Sequence, residues 1–356
     1  MDHINKLIEL DKSSPRQGTE GWINIRQYTI GGSQIAKLIG CGGFGTERTI
    51  IESSVGLSSF EGNYCTFWGN IMEDLVIDLL EKKWNTKIYE FGSLPGVIPG
   101  QRYSPDGVVC LEHNGVVFLI EIKCPVRRMV DDKNRIPSQY RPQIFTGIEV
   151  LNHYIPSLIK CVFIDSMIRC CSKSNFIVNN SYNIDVHGDK DIKQNPTHMG
   201  VMIITSPDDV KLSLDIGYLN INEFENQLKI IHKNNLDTKF IYRESKDFKE
   251  IDVILKSIKN IGGLMYFKIF KINEIEIFKD DWKKLYKKKN FDNSKSFISN
   301  IAPHIERVTN IIQSIKNMTK GEQITKLNQL YPKEFVIDYD EIYKRLKKYY
   351  SNKKKS

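Results

Sequence analysis

The sequence predicts an α/β protein with a mixed central sheet, and three of its features carry that expectation. From Trp68 to Trp84 the apolar residues Met72, Leu75, Val76, Leu79 and Leu80 recur at helical spacing and form one stripe. Two apolar runs, Val108–Leu111 and Val116–Ile122, flank Asn114-Gly115, the strongest short signal for a hairpin. A helical segment beginning near Ser138 then leads into the apolar run Ile159–Ile164. Alternation of this kind is the signature of helices packed against a sheet.

The other elements follow along the chain. Ser33–Ile39 reads as a short helix, and Gly40-Cys41-Gly42-Gly43-Phe44-Gly45 as its C-cap and a loop. No Gly-Lys-Ser/Thr follows, so the glycines are not a nucleotide phosphate loop. Beyond Ser172 the Asn-rich stretch Asn175–Asn195 reads as a loop and Met199–Thr205 as a strand. Leu264–Ile277 reads as a hairpin, Asp280–Lys289 as a Lys-rich helix, and Ile301–Met318 as a further helix. The expected organisation is one domain over 1–320, with a core at about 20–165 and α/β elaboration toward its C-terminal side. A helical, basic extension is expected over 321–356.

Composition narrows the partners and the compartment. The 51 Lys+Arg against 43 Asp+Glu leave +8, which is compatible with a polyanionic partner but does not require one. The seven cysteines include no C-x-x-C pair and read as reduced, mostly buried small hydrophobes. The N-terminus lacks a signal-peptide pattern, and no window nears the ~18 apolar residues that span a bilayer. A soluble, intracellular protein without a membrane partner is expected.

Four polar residues point to chemistry rather than packing. Asp74, Asp78 and Glu81 form a solvated row on the long helix, whereas Glu73 lies at the flank of the apolar stripe, facing the body of the protein. If Asn114-Gly115 is a two-residue turn, Asp106 faces Lys123 and Val108 faces Glu121. Asp106, Glu121 and Lys123 then share one sheet face, with the two acids diagonal neighbours roughly 7 Å apart. Ile120 and Ile122 point the other way, into the core. Carboxylates at such separation repel, and a hard divalent cation resolves the conflict. Glu73, Asp106 and Glu121, with a backbone carbonyl such as that of Ile122, suffice for one or two Mg²⁺ ions, with Mn²⁺ as a substitute.

These residues resemble a known family. Asp106 followed by Glu121-x-Lys123 resembles the signature of the PD-(D/E)XK nuclease superfamily, whose core is restriction-endonuclease-like. More closely, the chain resembles the phage lambda-type exonuclease (YqaJ-like viral recombinase) family, in the versions of large nucleocytoplasmic DNA viruses. The resemblance covers Trp22 to Leu151 and, weakly, the region to Pro303. It rests on five blocks in order: Trp22-x-x-x-Arg26 with Ile30-Gly31-Gly32-Ser33, Trp68-Gly69-x-x-x-Glu73, Ser104-Pro105-Asp106-Gly107, Glu121-Ile122-Lys123-Cys124-Pro125, and Pro137-x-x-Tyr140-x-x-Gln143.

The resemblance implies that Glu73, Asp106 and Glu121 hold the metal and that Lys123 orients or activates the attacking water. It implies that Gln143 and Tyr140 support the site, and that Arg26 and Ser33 bind phosphate at a DNA 5′ end. Ser33 can equally be read as a helix N-cap, Arg26 as a surface ion-pair partner and Tyr140 as core. Arg127, Arg128, Lys133, Arg135 and Arg141 cluster between the last two blocks and read as contacts to the DNA backbone. The activity implied is a Mg²⁺-dependent 5′→3′ exonuclease on double-stranded DNA with free ends, serving viral recombination, repair or replication. A ring-shaped trimer, a single-strand annealing partner protein and residence in the host cytoplasm or virion are implied with it. The alternatives are a structure-selective endonuclease on the same core and a catalytically idle DNA-binding protein.

Overall fold

A computed structural model places these segments in a mixed α/β architecture. The structure describes residues 2–15, 20–43, 45–58, 62–111, 115–130, 133, 135–171, 173, 176, 195–205, 226, 239–245, 248–257, 261–286 and 291–332. Among them, strands β1 (Ile30–Gly31), β3 (Leu94–Pro95) and β4 (Gln101–Tyr103) make a small sheet. The main sheet contains β2 (Ile88–Tyr89), β5 (Gly107–Leu111), β6 (Val116–Lys123), β7 (Lys160–Cys171), β8 (His198–Thr205), β9 (Lys239–Glu244) and β10 (Ile261–Phe278). Its order is β2-β5-β6-β7-β10-β8-β9; β6 and β7 run parallel and the other neighbours antiparallel, so the sheet is mixed, as the sequence predicts.

Helices α1 (Asp2–Lys12), α2 (Glu20–Arg26), α3 (Ile35–Leu38) and α4 (Glu47–Ser54) precede the long α5 (Tyr64–Trp84). Asn63 caps α5 by accepting from the Thr66 amide at 3.1 Å, and Asn85 ends it in the left-handed conformation, φ 48°. The stripe on α5 buries Met72, Leu75, Val76, Leu79 and Leu80 against Ile120 and Ile122 of β6. Val108, Val117 and Leu119 face the opposite way, into a second cluster with Ile144, Phe145 and Ile148 of α6 (Arg141–Tyr154). The sheet is therefore covered on both faces, and β6 reads as a continuous apolar run for that reason. Pro142 is the second residue of α6, where its missing N–H costs nothing. Helix α7 (Phe248–Ser257) adds Ile251 to the first cluster. Helices α8 (Trp282–Leu285), α9 (Phe297–Ile315) and α10 (Lys320–Leu330) contribute Trp282, Ile305 and Leu327 to the second.

Several expectations need correction. The hairpin pairs Leu111 with Val116 and Gly107 with Ile120, so its connection is two residues longer than a tight Asn-Gly turn. The register moves by an even number, which leaves every side chain on the expected face. The segment 264–277 is not a hairpin but part of the 18-residue strand β10, bulged between Ile269 and Lys271. It has no Gly or Pro at its middle; β8 pairs with it from Ile261 to Ile269 and β7 from Tyr266 to Phe278, so the strand runs on from one partner to the other without reversing. In the region expected to be helical over 280–289, a 3-10 turn at Lys279–Asp281 and the short α8 stand instead, and 287–290 lie outside the described residues. The boundary at 321 falls inside α10, whose Gln323 donates to the Ile315 carbonyl at 3.0 Å and whose Leu327 is buried. The loop over 175–195 and the basic tail lie outside the described residues, except Phe176 and 195. All seven cysteines are free, five of them buried. Among the described residues, no helix is long and apolar enough to cross a membrane.

Candidate active site

The candidate site sits at the end of the main sheet where β5 begins and β6 stops. Helix α5 approaches this end from one face and α6 from the other, while the small sheet closes the third side. Together they leave a cavity of about 180 Å³ lined by Ser33, Asn70, Glu73, Arg102, Asp106, Lys123 and Gln143, among others. Glu73, Asp106, Lys123, Gln143 and Ser33, drawn from five separated blocks of sequence, thus meet in one pocket.

The carboxylates are joined through Lys123. Its ammonium is 2.5 Å from Glu121 Oε1 and 3.6 Å from Asp106 Oδ2. Asp106 Oδ2 also accepts from the Ile122 amide at 2.7 Å, which ties the residue before β5 to the end of β6. Glu121 is fully buried, and the Tyr103 hydroxyl donates to its Oε2 at 3.0 Å. Tyr103 fits between two glycines. A Cβ on Gly32 would come within 2.6 Å of its ring, and one on Gly147 of α6 would strike its hydroxyl. Sequence reasoning missed Tyr103 because its tie to Glu121 depends on those close approaches, and none of them leaves a spacing signal.

Burial and mutual repulsion shape the protonation of this group. Burial first, and then Asp106, push the Glu121 carboxyl up to about 7, against the opposing pull of Lys123 and of the Tyr103 hydrogen bond. Burial and the neighbouring Asp106 and Glu121 also hold the Glu73 carboxyl well above the carboxylate range. Burial alone would favour neutral Lys123, but Asp106 and Glu121 outweigh it and hold the ammonium more firmly protonated than usual. Tyr103 stays a neutral donor, because burial and Glu121 raise its phenol well above the ordinary value.

Buried, mutually repelling carboxylates are donors of the type a hard divalent cation takes. Their chemistry fits such an ion. Among the described residues, however, no three His, Cys, Asp or Glu side chains are gathered into a ligand shell. The Lys123 ammonium instead serves as the counter-ion of Glu121 and Asp106.

The other end of the pocket is cationic and rich in hydroxyls. Strand β1 pairs with β4 so that Gly31 lies beside Arg102, which brings the following Ser33 near that guanidinium. Arg102 Nε donates to the Ser93 hydroxyl at 3.0 Å, and its Nη2 donates to the Ser93 carbonyl. Ser33 is exposed within a 3-10 turn and is not an N-cap; Gly31 caps that turn, and the Gln34 side chain reaches back to accept from the Gly31 amide at 2.8 Å. Arg26 ends α2, and its side chain lies outside the described residues. Tyr140 precedes α6, packs against Phe163 at 5.9 Å between ring centroids, and lies 5.6 Å below the Lys123 ammonium.

Three arginines of the basic cluster have partners within the chain. Arg128 donates twice to Asp165, at 2.8 and 2.6 Å. Arg127 stacks over the Tyr64 ring at 5.1 Å, and Arg141 Nε donates to the Ile136 carbonyl at 3.0 Å. Lys133 and Arg135 are exposed.

Residues 21–152 match the model of the YqaJ-like viral recombinase domain, a match that supports a nuclease acting on DNA. A protein of African swine fever virus, in a tick isolate from Malawi, is 25% identical over 304 residues, spanning 78% of this chain and 84% of the relative. Its counterpart in the Badajoz strain matches to the same extent. Among solved structures, an alkaline exonuclease from Laribacter hongkongensis (LHK-Exo) aligns over 41% of this chain and 73% of its own, at 20% identity and a TM-score of 0.31. Its complex with dAMP aligns with a TM-score of 0.33.

Proposed function

We propose, on the premise that residues 21–152 are a YqaJ-like viral recombinase domain, that this chain is a divalent-metal-dependent deoxyribonuclease. Within that class we read a 5′→3′ exonuclease on double-stranded DNA. The observation that carries the reading is the meeting of Glu73, Asp106 and Lys123 on one pocket wall with Glu121 bonded to Lys123. An ionic surface ladder would leave such groups solvated, whereas here Glu121 is fully buried at the end of an apolar strand.

Glu73, Asp106 and Glu121, with the Ile122 carbonyl, would hold Mg²⁺ or Mn²⁺. The ion would lower the pKa of a water and offset charge on the phosphate. The chain's own residues do the rest. Lys123 lies close enough to Glu121 and Asp106 to share their charge, and its ammonium offers donors to a phosphate oxygen or an attacking water. Tyr103 keeps one oxygen of Glu121 in place. Gln143 presents an amide to the same pocket, and Tyr140 supports Lys123 from below. Ser33 and Arg26 would take the terminal 5′-phosphate, with Arg102 near Ser33. Arg127 and Arg141 would contact the DNA backbone.

The decisive experiment supplies linear and covalently closed circular duplex with Mg²⁺ and resolves products on a denaturing gel. Mononucleotides from the linear form alone are expected. Nicked circles would identify an endonuclease, and no cleavage of either would remove the nuclease reading.

A further inference from the structure

Asp165 is a buried acid outside the lining of the pocket. Strands β6 and β7 run parallel with Lys123 paired to Asp165, so the two side chains point to the same face from neighbouring strands about 4.8 Å apart. Asp165 is almost fully buried, and its pairing with Lys123 on the next strand puts it within the span of a lysine arm. Yet Lys123 is turned to Glu121 and Asp106. Asp165 is met instead by the fork of Arg128, five residues past the end of β6, in a two-bond geometry that suits a guanidinium and a carboxylate.

We infer that Arg128 serves the site indirectly, as a positioning residue: its guanidinium neutralises Asp165 and so leaves the Lys123 ammonium to Glu121 and Asp106. A buried carboxylate stripped of its partner draws in whatever cation is near, because the field around it is poorly screened. Without Arg128, Lys123 is the cationic arm that the strand register sets directly beside Asp165. The loop between them has main-chain anchors besides the Arg128 side chain. Arg169 of β7, also buried, donates from Nη1 to the Pro125 carbonyl at 3.2 Å and from Nη2 to the Arg128 carbonyl at 3.4 Å. Replacing the Arg128 side chain therefore removes the counter-charge while these two main-chain anchors stay.

The inference rests on the nuclease reading for its effect on rate, but not for its effect on Lys123, and the experiment separates the two. R128A, D165N and R128A/D165N are compared for kcat, KM and crystal structure, with wild type as control. R128A should lose kcat by roughly 10- to 100-fold, the usual cost of removing a partner that orients a site group, with little change in KM. D165N should stay near wild type, and the double variant should recover to within about threefold of D165N, a coupling that marks one shared interaction. In crystals of R128A, the Lys123 ammonium should lie within hydrogen-bond distance of Asp165 rather than Glu121. A double variant as slow as R128A, or an R128A that cleaves normally, overturns the inference; the first outcome would mean that Arg128 acts on DNA. If wild type does not cleave, the nuclease reading fails, and the position of Lys123 in the R128A crystal alone upholds or overturns the inference.

Discussion

Replacing Glu121 by Gln should leave the metal-free protein more stable at alkaline pH while abolishing cleavage. In the folded protein this carboxyl is raised to about 7 from an ordinary 4.5. The sign follows from linkage. Between those two values the folded state binds the proton that the unfolded state has released, so stability is greatest below 4.5 and falls as pH rises through 7. Over that pH interval, at roughly 1.36 kcal/mol per tenfold change in proton concentration, ~3 kcal/mol is lost by pH 8. Full burial of Glu121 means that solvent screening does little to shrink this figure. E121Q keeps the size and an acceptor for Tyr103, and carries no charge to desolvate. Urea unfolding in EDTA from pH 4.5 to 9 should therefore show a decline in wild type that is largely absent in E121Q. Added Mg²⁺ should restore the wild type at pH 8 by mass action and leave E121Q unmoved. Parallel pH curves for the two proteins would refute the argument, because the ionised carboxylate would then carry no cost.

Three further outcomes follow from the same geometry. E73A should lose cleavage by orders of magnitude and D74A should be nearly silent, since adjacent helical side chains diverge by about 100° and Asp74 is exposed; equal losses in a single-turnover assay would contradict the placement of α5. Y103F removes a hydrogen bond that favours ionised Glu121, so its pH–rate profile should shift to the alkaline side, a bond to a charged group being worth roughly 1.5–3 kcal/mol; an unshifted profile would reduce Tyr103 to packing. Wild type should prefer a 5′-phosphorylated duplex end over a 5′-hydroxyl end by roughly tenfold or more, and R26A should shrink that ratio; equal rates on both ends would remove the terminal-phosphate role of Arg26 and Ser33.

Periodicity along the chain was enough to place the elements that carry the site. The apolar stripe of α5 singles out Glu73 from Asp74, and period-two alternation in β5 and β6 puts Asp106, Glu121 and Lys123 on one face. That result survives a hairpin two residues longer than the turn signal implied, because face depends only on parity. The class of fold was legible for the same reason: burial on both faces writes itself into the composition of β6 and α5. What periodicity cannot carry is contact between segments far apart in the chain. The 18-residue β10 looks like a hairpin until β7 and β8 are seen to flank it, since one strand's alternation is the same whether or not it reverses. Tyr103 reaches Glu121 only because Gly32 and Gly147, over a hundred residues apart, leave room for its ring. Arg128 reads as a nucleic-acid contact in a basic run, and only the parallel register of β6 and β7 reveals the buried Asp165 beside it. Charge and spacing are properties of the chain itself, whereas the partner of each charge is decided by which strands lie side by side.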